Sequence, residues 1–338
     1  MLATYTSADI AFTHLTGHQV SSAASQAADG GYLKLATLIS QAGGDDLFRE
    51  DLISQIEIWK SEKLNPGTNS TFGGPTRGLI ERGVWRVYRL LGGLVIPEEE
   101  QSEDASLYAG LDWKRIFGLF LWYATSVDAS IADVVETYEE LLQRASLGTS
   151  LDISRPQPKW VSQHGSTGIP PAAGQRLGLS SKARSDLGLE DPLFTLIKLY
   201  ADPALTLSSA LHPLSFGPSR VGWGIAMSWH LYIVLSRVMK VRDFSDRSNP
   251  ISRAHSGKGH GSQPNGHGLT REGSEDEEGN FRGYSATADL LTSTYAFELE
   301  SWGLVQEAAF VLLHLEQSAG WVSLVQKFSG TPADVSSF

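Results

Sequence analysis

Apolar positions recur at spacings of three and four along almost the whole 338-residue chain, and alternating strand-like runs are few. The densest stretch is LDWKRIFGLFLWYATSVDASIADVVETYEELL, residues 111–142. Trp113, Ile116, Phe117, Phe120 and Leu121 fall on one broad helical face, and Leu119, Trp122 and Tyr123 extend the apolar surface most of the way round. A helix apolar on nearly every side is sandwiched between other helices. Ser130 and Asp133, three apart, read as a capping box that opens the following helix. The stretch predicts helices stacked on helices, with little polar chemistry between them.

The same periodicity divides the rest of the chain. Helices are expected over 8–15, 19–28 and 32–42, stopped by Gly17, by Gly30 and Gly31, and by Gly43 and Gly44. A fourth begins at a cap on Asp45 or Asp46 and runs to about Lys60; the short turns predict antiparallel neighbours. Residues 62–78 read as a loop, 79–91 as a helix with Trp85, Tyr88 and Leu91 on one side, and 98–104 as an acidic loop. Helices over 112–124 and 130–146 follow. Residues 147–187, with Pro156, Pro158, Pro170 and Pro171, read as a disordered polar insertion or an extended strap anchored by Trp160. A helix is expected over 191–200 and a long one over 220–241. The long helix carries two apolar stripes, Val221, Ile225, Trp229 and Ile233 on one, Met227, Leu231, Val234 and Val238 on the other, predicting burial on more than one side. Residues 243–283, rich in Ser, Gly and His with an acid run at 275–278, read as a low-complexity disordered insertion. Helices over 286–302, 304–315 and 320–328 close the chain. The expected divisions are therefore 1–93, 94–146, 147–187, 188–242, 243–283 and 284–338. No strict repeat is present.

Composition narrows the function classes. A net charge of −11 without a basic stripe argues against direct binding of nucleic acid. The longest nearly uncharged apolar run, 116–127, is too short to span a bilayer, so no membrane insertion is expected. Residues 4–9 are polar where a signal peptide needs an apolar region. Cysteine is absent, which removes disulfides and thiolate metal sites and fits a reducing compartment.

Candidate chemistry is sparse. His255, His260 and His267 lie in the low-complexity stretch without the ordered second shell a metal site needs, and read as a solvated linker. DDLFRE at 45–50 is similar to the acidic motif that holds magnesium in helical terpenoid synthases, and a magnesium-dependent helical enzyme is the alternative it raises. No facing second motif accompanies it, and Asp45 and Asp46 suit a helix N-terminus through the macrodipole. His230 and His314 read as core or boundary histidines making one hydrogen bond. No nucleophile elbow or phosphate loop occurs, and the LGGL at 91–94 ends a helix rather than following a strand. No catalytic, cofactor-binding or metal-binding residue is assigned, no cofactor is expected, and the sequence does not single out partner-binding residues.

LDWKRIFGLFLWY (111–123) with ASIADVVETYEE (129–140) resembles the signature of the nucleoporin 96 family, the fungal nucleoporin 145C group included. Further blocks agree in order: DIAFTHLTGHQVSSAASQAADGGYLKLATLISQAGG (9–44), DPLFTLIKLYAD (191–202), AMSWHLYIVLSRV (226–238) and ATADLLTSTYAFELESWGLVQEAAFVLLHLE (286–316). The resemblance implies an all-α fold, an irregular folded-back helical solenoid of the ancestral coatomer element type. Residues 9–93 would lie largely in its crown and adjoining helices. Residues 111–241 and 284–328 would form the trunk and the start of the tail. It implies a non-enzymatic scaffold of the nuclear pore's Y-shaped outer-ring complex, at the nuclear envelope, supporting nucleocytoplasmic transport and mRNA export. Its partners would be other scaffold nucleoporins, met through the crown. The family's N-terminal strand segment, its self-cleaving domain and most of its tail have no counterpart here. The chain is therefore expected to be an internal portion, with binding of a β-propeller partner in doubt. A vesicle-coat scaffold of the COPII type shares this architecture and is the other reading.

Overall fold

The computed structural model describes residues 5–43, 46–66, 79–96, 107–126, 128–146, 153–162, 188–217, 222–247 and 283–316. The fold is all-α: every regular element among the described residues is helical, and no sheet is present among them. The chain divides into two compact units, residues 1–156 and 157–338.

The first unit opens with α1 (Ser7–Leu15), α2 (Val20–Asp29), α3 (Leu33–Ile39), α4 (Asp46–Ser61) and α5 (Arg82–Leu91). Thr6 caps α1 through a capping box in which its hydroxyl accepts from the Asp9 amide at 3.3 Å and the Asp9 carboxylate accepts from the Thr6 amide at 3.2 Å. The inward positions of α1 and α2 are mostly small, Ala8, Ala11, Ala23 and Ala27, so the helices approach closely. Gly83 brings α5 against α1, where a Cβ would meet the Asp9 amide nitrogen at 2.8 Å. Beside it the Arg86 guanidinium lies 3.8 Å over the Phe12 ring. Burial lowers the Arg86 pKa to about 10, against the pull of Asp9, which leaves the charge in place at neutral pH. The Tyr32 hydroxyl donates to Glu81, tying the start of α3 to the start of α5; this bond, with burial, pushes the phenol up to about 12.

The aromatic stretch forms α6 (Trp113–Leu119), capped by Asp112, and runs into one wider π turn, Phe120–Ala124. The next helix, α7 (Ile131–Ser146), carries the expected capping box: the Asp133 amide donates to the Ser130 hydroxyl at 3.2 Å, and the Ser130 amide donates to the Asp133 carboxylate at 2.8 Å. Ile116, Leu119 and Phe120 are wholly enclosed, and the edges of Phe117 and Phe120 meet Tyr138 of α7 at 5.4 and 5.7 Å. On the opposite side Tyr123 donates to the Leu15 carbonyl at 3.0 Å, and Arg115 donates to the Thr16 hydroxyl at 2.8 Å. The segment is thus enclosed by helices on two sides, as its pattern requires. Trp122 and Leu121 depart from this by being only half-buried. The Trp122 ring lies 4.7 Å from that of His18, nearly parallel to it. Gly93, at φ +75, closes the exit of α5 against the π turn, where a Cβ would stand 2.9 Å from the Tyr123 carbonyl.

The second unit contains α8 (Lys159–Ser162), α9 (Pro192–Ala201), α10 (Leu207–Ala210), α11 (Pro213–Phe216), α12 (Trp223–Tyr232) extended by a π turn (Ile233–Val238), α13 (Ala286–Ser301) and α14 (Val305–Leu312). Its core gathers Leu199, Ile225, Trp229, Tyr232, Tyr295 and Val311 from four of these elements. The Trp160 indole donates to the Leu214 carbonyl at 2.9 Å, so the chain over 153–162 is a held segment, while 147–152 and 163–187 lie outside the described residues.

Two expectations need correction. The helix expected over 220–241 is described from Trp223, and its second stripe is buried only in part: Met227 and Leu231 are half-buried, Leu231 against the core, whereas Val234 is 44% and Val238 71% exposed. The π turn takes more residues per turn and shifts the phase past Ile233, so that Ser236 turns inward and Val238 outward. Residues 243–247, assigned to a disordered insertion, belong to the folded unit, with Phe244 buried in its core. Residues 248–282, the histidines at 255, 260 and 267, and the helix expected at 320–328 lie outside the described residues.

Candidate interaction surfaces

Of the sequence-level candidates for chemistry, His230 and His314 share a neighbour, the Trp229 ring. Asp46 is exposed in the first turn of α4, and Asp45 lies outside the described residues. His230 places Nδ1 2.7 Å from the Ala226 carbonyl, one turn earlier on its own helix; His314 does the same to the Phe310 carbonyl at 3.1 Å. His230 is exposed rather than buried, while the His314 ring edge meets Trp229 at 5.4 Å. Among the described residues no group of three His, Asp or Glu side chains is placed to hold a metal ion.

The strongest polar arrangement is an ion cluster in the second unit. Glu316 accepts from both terminal nitrogens of Arg247 at 2.8 Å, from the Ser285 amide at 2.9 Å, from the Tyr232 hydroxyl at 2.9 Å, and from Arg237. Arg247 also binds Asp243 and donates to the Gly283 carbonyl at 2.8 Å. Asp246 accepts from the Ser285 hydroxyl at 2.6 Å and from the Thr287 amide at 2.8 Å, closing the N-terminus of α13. Burial opposes the Glu316 charge, but its hydrogen bonds to Arg247, Ser285 and Tyr232 outweigh that and hold its pKa below the ordinary 4.5. Burial likewise opposes the Arg247 charge, and bonds to Glu316 and Asp243 overturn it, raising the guanidinium above its usual value.

The sign of the pH dependence follows. A carboxyl depressed by folding stabilises fully above its unfolded pKa, and that stabilisation is lost as pH falls through its folded value. The second unit is therefore expected to lose melting temperature on acidification below the ordinary carboxylate range, and Glu316→Gln is expected to flatten that decline. Thermal unfolding followed by tryptophan fluorescence from neutral pH to about pH 3 checks it. An unchanged slope in the variant refutes the assignment.

No binding group was legible for the surface, yet the structure leaves large apolar side chains in water. In the first unit Tyr5, Leu33, Leu47 and Leu79 are each more than half exposed. In the second, Tyr200, Trp223, Val238 and Met239 are exposed, and so are Trp302, Val305, Phe310 and Leu313 around α14. Where such side chains are neighbours along the chain, as around α14, the surface is of the kind that meets other molecules. Among the described residues no helix is long and apolar enough to cross a membrane.

Comparison with known proteins gives this surface its context. The family model described as Nup96, nuclear protein 96, matches residues 9–331. The chain is 28% identical over 195 residues to "Nuclear pore complex protein NUP96" of Arabidopsis thaliana, covering 57% of this chain and 17% of that protein. It is 25% identical over 311 residues to nucleoporin nup189 of Schizosaccharomyces pombe, covering 92% and 14%. Nucleoporin NUP145 of Chaetomium thermophilum is 30% identical over 132 residues, covering 38% and 7%. The chain thus spans less than a fifth of the length of each of these relatives.

Proposed function

We propose, because the chain belongs to the nuclear protein 96 family, that it is a structural component of the nuclear pore complex, located at the nuclear envelope. In this reading it serves in the Y-shaped outer ring, is not an enzyme, and supports nucleocytoplasmic transport and mRNA export by holding other scaffold nucleoporins in place. The carrying observation is the family match over residues 9–331. The helical architecture and the exposed apolar side chains support it, since helices that present apolar residues outward bind other helices.

The domain reading belongs to the same proposal. The chain forms a folded-back solenoid in which residues 9–93 lie in the crown and adjoining helices, with the later helices in the trunk. Partner scaffold nucleoporins meet the crown. The exposed Leu33, on the solvent side of α3, is available for such a contact.

Affinity capture of the tagged chain from a native lysate at moderate salt, with the co-purifying proteins identified, tests this. Outer-ring nucleoporins are expected, and Leu33→Glu is expected to reduce their recovery if the crown carries the contact. Recovery of vesicle-coat subunits in their place would overturn the pore assignment.

A further inference from the structure

Helix α14 is apolar on both of its sides. Ala308, Val311 and Leu312 face inward and are buried. On the outward arc stand Val305 at 49%, Phe310 at 60% and Leu313 at 57% exposure, with Ala309 between them and only Gln306 and Glu307 polar. Trp302 and Leu304, in the turn that precedes α14, are also exposed. A helix of this kind is ordinarily covered on both faces. Residues 283–316 contain no Lys or Arg, and the two arginines that reach this hairpin, Arg237 and Arg247, are both engaged by Glu316. Of the five acids in this stretch, Glu316 is held by the ion cluster and Asp289 accepts from the Glu316 amide at 2.8 Å. Glu300 and Glu307 stand exposed beside Trp302 and Phe310.

We propose that the outward face of α14 and its preceding turn dock a basic amphipathic helix of a partner protein. Apolar residues of that helix seat on Val305, Phe310 and Leu313, and its Lys or Arg side chains reach Glu300 and Glu307. A helix is the fitting form because α14 already spends its backbone groups internally and offers no strand edge to extend. A second copy of the same hairpin would set acids against acids, which charge complementarity disfavours. The inference rests on the scaffold reading only in taking the occupant to be a protein.

The test is titration of the full chain with a fluorescent amphipathic peptide of Leu and Lys, about 18 residues long so that it can form helix, followed by anisotropy at about 0.1 M salt. A peptide with Glu at every Lys position is the control. Saturable binding of the Lys peptide alone is expected. Phe310→Glu with Leu313→Glu should weaken it at least about tenfold, and Glu300→Gln with Glu307→Gln should weaken it and reduce its salt dependence. The second pair is exposed and isosteric, so it remains informative if the first disturbs folding. Leu33→Glu, in the other unit, should change nothing.

Equal binding of both peptides, insensitivity to both α14 pairs, or no binding overturns the proposal. In that last case, a dimer that Phe310→Glu with Leu313→Glu converts to monomer would assign the face to a second copy. Because no pore protein enters the titration, its failure leaves the scaffold reading standing. Failure of affinity capture likewise leaves the peptide result untouched.

Discussion

Arg247→Ala is expected to destabilise the second unit by about 3–5 kcal/mol, the cost of leaving a buried carboxylate without its partner. The Arg247 side chain is 3% exposed and that of Glu316 5%. The one guanidinium joins Asp243, Glu316 and the Gly283 carbonyl, and so clasps together the segment after α12, the start of α13 and the end of α14. Removing it takes the buried guanidinium from two carboxylates, leaving Glu316 with Arg237, Ser285 and Tyr232, and loosens all three segments. The loss belongs to the arrangement and not to positive charge in general. Arg237, about a third exposed although it binds the same Glu316, should cost about 1 kcal/mol or less when truncated. Replacing Arg247 by Met and Glu316 by Leu together should cost less than the sum of the two changes, since Glu316 is then no longer left without Arg247, although Asp243 still loses its partner. Urea unfolding followed by tryptophan fluorescence, fitted with separate transitions for the two units, measures all of these. A loss below about 1 kcal/mol for Arg247→Ala would remove the cluster from the account of stability.

The second large effect is expected at Phe120→Ala, about 3–5 kcal/mol from the first unit. Its ring is wholly buried in the π turn and its edge packs on Tyr138, so truncation leaves a cavity that α6 and α7 cannot both close. The contrast is Trp122→Ala. The periodic pattern makes Trp122 part of the same enclosed surface, but its ring is half-buried and lies against His18. Its truncation should cost about 0.5–1.5 kcal/mol, the worth of an aromatic pair, plus the modest area it covers. Denaturation midpoints for the two variants decide the matter. An equal or larger loss at Trp122 would mean that the ring is enclosed after all.

These two predictions differ in how much of them could be read from the chain alone. Ile116, Phe117 and Phe120 announce themselves as core, because a three-to-four spacing is a local property that any helix converts into a face. The Ser130 and Asp133 box and the helix stops at Gly31 and Gly93 are equally local, since each depends on residues within one turn. The family blocks are legible for the same reason: they are runs of neighbouring residues. The interaction surface was not. Phe310 and Val311 are adjacent and equally apolar, yet one faces water and the other the core, a difference set by which neighbour happens to lie against α14.

All-α character, the position of most helices, their caps and the family relation thus follow from the amino-acid order, because each rests on interactions within a few residues. The phase change at Ile233, the capture of Phe244 and Arg247 from an otherwise polar stretch, and the ion cluster depend on the folded chain. Arg247 and Glu316 are 69 residues apart, and no periodicity links them. Their pairing exists because packing of α12, α13 and α14 excludes water from the point where the three meet, so a charge there must find its opposite or stay outside.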